Sequence, residues 1–131
     1  MSYAGIQATV NFYTLREADL TNELTNIMTN ITQASGDSMD LVQSTNQSKA
    51  EVRNTYTPGT SEYEAQMAQI NDGYDLKLAQ ITDWEKELET KKQTLETEIQ
   101  ATTSYKESFK SSLKQNIQKD FKYGGGSSAS G

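Results

Sequence analysis

The chain has 131 residues, no cysteine, no histidine and a net charge of −6, and only 34% of it is hydrophobic. The missing residue types exclude disulfides, thiolate chemistry and histidine-based metal or acid–base sites. A composition this polar cannot fill a thick layered core but can fill a narrow seam between helices.

Projected at about 100° per residue, the first half carries one apolar stripe: Ile6, Val10, Tyr13, Leu20, Leu24, Ile27, Ile31, Ala34, Leu41, Thr45, Val52 and Tyr56. The steps are threes, fours and sevens, with no strand-like alternation. This predicts one helix, or two nearly continuous ones, over about residues 4–56. Gly36-Asp37-Ser38 is the weak point, because glycine and short polar residues disfavour helix interiors. The stripe stays in phase across it, so a bend or local irregularity is expected rather than a reversal.

Thr57-Pro58-Gly59-Thr60 is the clearest punctuation. Proline stops the first helix and glycine frees the chain to turn. Thr60 or Ser61 can cap the second helix, and Ser61 to Glu64 reads as a capping box.

The second stripe is Tyr63, Met67, Ile70, Tyr74, Leu78, Ile81, Trp84, Leu88, Leu95, Ile99, Thr102, Phe109, Leu113, Ile117 and Phe121. Positions 74, 81, 88, 95, 102 and 109 are sevens apart, the spacing of a left-handed supercoil. From Phe109 the steps become fours, which predicts a straighter end. Asn71-Asp72-Gly73 reads as a strained helix position, since the stripe passes through it in phase. Helix 2 is placed at about residues 61–122, and Gly124-Gly-Gly-Ser-Ser-Ala-Ser-Gly131 is expected to be a flexible tail, native or an expression linker.

The predicted fold is therefore all-α: a long antiparallel, coiled-coil-like helical hairpin over residues 1–123. The expected seam consists of Leu20, Leu24, Ile27, Ile31, Val52, Ile81, Leu88, Leu95, Ile99, Leu113 and Ile117. A lone pair of thin helices buries little surface. The stripes are also broader than a two-stranded seam needs, so oligomerisation is expected to complete a bundle or filament. Phe12, Leu15, Leu76, Tyr105 and Tyr123 fall off or beside the stripes. They are either scattered exposed residues or a second, assembling surface.

Lys92, Thr102 and Lys106 fall on or near the second stripe. They set register or snorkel to its edge. Trp84 is a core residue or an interface anchor. Asp37 with Asp40, and Asp72 with Asp75, lack the calcium-loop pattern. The locally basic run Lys106, Lys110, Lys114, Lys119 and Lys122 suits a helix C-terminus, with contact to phosphate or acidic lipid as the alternative, and no concentrated basic surface for nucleic acid appears overall. No catalytic, cofactor or metal motif is present, so no enzyme activity and no cofactor are expected. No stretch approaches the about 20 apolar residues of a membrane span.

Two long stripes around Pro58-Gly59, in a Thr/Ser/Asn/Gln-rich chain without cysteine, resemble the small axial and filament subunits of bacterial export machines, such as type III needle and flagellin-like proteins. The resemblance implies a self-assembling structural subunit, secreted or on the cell surface. Residues 1–10 have neither a basic segment nor a long apolar run, so a leaderless route is expected, with a cytoplasmic location as the alternative. The competing reading is a binding module, an adaptor, chaperone or secreted effector that packs with a different helical protein.

Overall fold

The computed structural model describes the backbone of residues 2–130 and the side chains of residues 2–119. Phe121, Lys122 and Tyr123 lie outside the described side chains. Two helices, α1 (Tyr3–Thr55) and α2 (Ser61–Ser130), pack against each other as a helical hairpin. Among the described residues there is no strand.

Helix α1 starts where Ser2 can cap it. The Gly5 amide donates to Ser2 Oγ at 3.1 Å, and the Ile6 amide donates to the Ser2 carbonyl. It then passes through Gly36-Asp37-Ser38 without a break. As expected, the chain does not reverse there: Gly36 keeps negative φ and no proline intervenes. Threonine is a mediocre helix former, and the chain accommodates several by back-bonding. Thr9, Thr14, Thr21, Thr25 and Thr32 each donate to the carbonyl four residues earlier.

The reversal is built from Thr57-Pro58-Gly59-Thr60. Gly59 has φ of 86°, and the Thr60 amide donates to the Thr57 carbonyl at 3.2 Å. Proline at the second position and a positive-φ glycine at the third define a type II turn. Thr60 then caps α2: its Oγ1 accepts the Tyr63 amide at 3.2 Å. The cap therefore falls one residue before the expected Ser61–Glu64 box, leaving Glu62 and Glu64 in the first turn, where the helix dipole favours acids.

Helix α2 is continuous through Asn71-Asp72-Gly73. The expected end of the helix near residue 122 lies outside the described side chains. The expectation of a flexible tail falls on residues outside the described side chains.

The hairpin comprises two compact units. The terminal unit brings residues 2–25 together with residues 93–119. Its core holds Ile6, Val10, Leu20, Leu95 and Thr102. In the turn unit, residues 26–92, the core holds Ala34, Leu41, Val52 and Leu88. Along α1 the inward positions alternate fours and threes: 6, 10, 13, 17, 20 and 24 in the terminal unit, and 27, 31, 34, 38, 41, 45, 48 and 52 in the turn unit. Along α2 the turn unit has one irregularity, two successive fours at Ile70, Tyr74 and Leu78. At the far end of α2 the alternation continues through Phe109, Leu113 and Asn116. The expected run of fours is thus corrected. Asn116 turns inward and Ile117 is 45% exposed, because a 3.5-residue repeat carries the seam past Ile117.

Candidate interaction site

In the terminal unit, Tyr13 stands at the centre of an aromatic group. Its ring stacks on Tyr105 and on Phe109, each at 5.8 Å between centroids, and meets Phe12 edge-on at 5.4 Å. These are favourable offset and T-shaped geometries. Tyr13 and Phe109 are half-buried, whereas Phe12 and Tyr105 are 62% and 57% exposed. Leu15 is 69% exposed and lies three residues from Phe12, hence on a neighbouring part of the same helix surface. Of the five side chains expected on an assembly surface, these three belong to this unit. Leu76 is exposed in the turn unit, and Tyr123 lies outside the described residues.

One helical turn beyond Tyr13, the seam is charged. Glu17 Oε1 accepts from Lys106 Nζ at 3.1 Å, and its Oε2 accepts from Thr103 Oγ1 at 2.8 Å. The Lys106 side chain is only 13% exposed and that of Glu17 28%. The Thr103 hydroxyl, then the Lys106 ammonium, hold the Glu17 carboxyl below the usual carboxylate range; partial burial opposes them. Lys106 therefore pairs across the seam instead of snorkelling to its edge. Beside this cluster, Arg16 and Glu98 form an exposed pair at 3.5 Å, of the kind that contributes little.

A stripe traced through apolar residues alone passes over Glu17. A signal for it is present nonetheless: stepping from Val10 to Tyr13 to Leu20 leaves a gap that only position 17 fills. Thr102, on the expected stripe, is buried; Lys92 is half-buried and 3.8 Å from Glu89 on its own helix.

The expected seam residues divide by burial. Leu20, Val52, Leu88 and Leu95 are buried, while Leu24, Ile27, Ile31, Ile81, Ile99 and Leu113 are half-buried. Ile117 faces outward.

The turn unit has a different character. Its seam admits small side chains, Ala34, Ser38 and Ser48, and Gly73 sits at the irregular step of α2. There a cleft of about 240 Å³ opens between the helices, lined among others by Leu41, Ser44, Ser48, Ile70, Gly73 and Tyr74. On the outside of α1, Met39, Val42 and Ala50 line a shallow hollow with Gln43, Asn46 and Gln47. Met39, at 72% exposure, and the exposed Met28 have no distinguishing signal in the sequence, since lone methionines carry no motif.

Among the described residues, no cluster of three or more acids could hold a metal ion. Also among them, no helix is long and apolar enough to cross a membrane. No family model, curated protein or solved structure matches the chain.

Proposed function

We propose that this chain is a structural subunit that assembles with copies of itself through its helices, as a secreted filament or surface assembly, without catalysing a reaction. The carrying observation is that large apolar side chains stay outside the hairpin: Phe12, Leu15 and Tyr105 in the terminal unit, and Met28, Met39, Val42 and Leu76 in the turn unit. Apolar groups clustered on a surface this way mark contact sites. The seven-residue spacing of the inward positions supports coiled-coil-like packing, the usual geometry of such assemblies. The organisational resemblance to needle and flagellin-like subunits favours the same reading and export from a bacterial cell.

Light scattering over a concentration series, followed by negative-stain microscopy, tests it. Regular assemblies that shrink in Tyr105→Ala and Leu15→Ala, with helicity unchanged, are the expected result. A monodisperse monomer at every concentration overturns the proposal.

A second reading is favoured by the Met39–Val42 hollow. Flexible methionines adapt to varied partners, and a groove on a helix surface accepts an amphipathic helix. On that reading the chain is a binding module that packs with a different helical protein. It predicts a stable small species whose capture of a foreign helix is lost in Met39→Ala.

A further inference from the structure

The seven-residue repeat that builds the terminal unit leaves a question its apolar residues do not answer. Outside the irregular step at Ile70, Tyr74 and Leu78, sliding α2 by seven residues along α1 returns most of the described inward positions to inward positions. Apolar packing alone therefore discriminates poorly between neighbouring registers. The turn at residues 57–60 opposes a slip as well, because a longer connection would have to be unwound from the capped helix beside it.

We propose that Glu17, Thr103 and Lys106 form a register key, a polar contact that is fully satisfied in one alignment of the two helices and only in part, or not at all, in the neighbouring ones. The geometry makes the discrimination concrete. In the observed alignment both Glu17 oxygens have donors on α2, at 2.8 and 3.1 Å. A slip of seven in one direction replaces Thr103 and Lys106 by Glu96 and Ile99, setting a carboxylate beside a carboxylate. The opposite slip replaces them by Lys110 and Leu113, which leaves Glu17 with one cation. It also turns Lys106 toward Leu24, and the first slip turns it toward Val10. Each wrong register thus puts a mostly buried ammonium against an aliphatic side chain, a desolvation cost without a compensating partner. A single polar layer is a known means of fixing alignment between helices, at some expense in stability.

The key predicts a dissociation between stability and uniqueness. Glu17→Leu with Lys106→Leu removes the charges together. Thr103 can then donate to the carbonyl four residues back, as other threonines of this chain do. Because the chain has no cysteine, cysteines placed at the exposed Ala8 and Ala101 carry spin labels at defined points of the terminal unit. Labelled chain diluted in unlabelled chain reports the intramolecular distance, and a seven-residue slip shifts it by up to about 10 Å. The parent background should give one distance population. The double-leucine variant should remain as heat-stable but show a second population. Lys106→Glu alone should also split, and Glu17→Lys with Lys106→Glu should restore a single one. The proposal is overturned by a parent that already shows two populations, or by a single population in the leucine variant. It is also overturned if the charge-swapped pair stays split. Should the leucine variant fail to fold, the comparison of Lys106→Glu with the charge-swapped pair decides the matter alone.

Discussion

The terminal and turn units use the same backbone and nearly the same repeat, yet fill their seams differently. The terminal unit buries Ile6, Val10 and Leu20, stacks Tyr13 of α1 on Tyr105 and Phe109 of α2, and binds Lys106 to Glu17. The turn unit intersperses Ala34, Ser38 and Ser48 among Leu41, Val52 and Leu88, and opens a cleft where α2 takes two four-residue steps. Directional contacts specify which residues meet; small side chains only allow the helices to approach. The contrast suggests that alignment is decided mainly by residues 1–25 and 93–119, and that residues 26–92 tolerate more change.

The largest test of that contrast is Leu88→Asp. Leu88 is buried in the turn unit, and an unpaired carboxylate there should cost more than about 3 kcal/mol. Circular dichroism should show loss of cooperative melting, and retained heat stability would contradict its placement in the core. Leu20→Ala, at the most buried leucine of the terminal unit, should cost about 3 kcal/mol in urea unfolding. A cost below about 1 kcal/mol would mean that the aromatic and polar contacts, not Leu20, hold that unit together.

Smaller changes sharpen the picture. Gly36→Ala and Gly73→Ala should each raise stability by about 1 kcal/mol. A methyl at either site meets no atom within 4 Å, and both glycines lie in helix interiors with ordinary φ. Destabilisation by either would show that its helix needs glycine's freedom. Thr60→Ala should lose about 1 kcal/mol with the cap of α2.

The subtlest test is pH. Because the folded-state Glu17 carboxyl titrates below its usual range, its contribution is complete at neutral pH and is lost as pH falls through that lowered value. Glu17→Gln should flatten the acid limb of the melting temperature while leaving its shape above the carboxylate range unchanged. An identical acid limb in both proteins would remove Glu17 from the balance.

Much of the fold is legible in the sequence because its strongest signals are local. A proline next to glycine between two apolar stripes has few outcomes other than a hairpin, and Gly59 takes the positive φ that the turn demands. The finer features depend on pairing across helices, which a single stripe does not encode. Glu17 looks like a solvated acid until Lys106 and Thr103 are opposite it. Ile117 looks like core until the repeat is followed through Asn116. Thr60 and Ser61 are both able caps, and the type II turn decides between them by placing Thr60 at its fourth position.

The back-bonded threonines bear on how this molecule meets water. Thr9, Thr14, Thr21, Thr25, Thr32, Thr90 and Thr97 all point their hydroxyl hydrogens at carbonyls of their own helix. Each donor is occupied internally, and the γ-methyl is left to be presented beyond the backbone. The hydroxyl oxygens at these positions still accept from water but no longer donate to it, so each threonine offers water less than its formula implies.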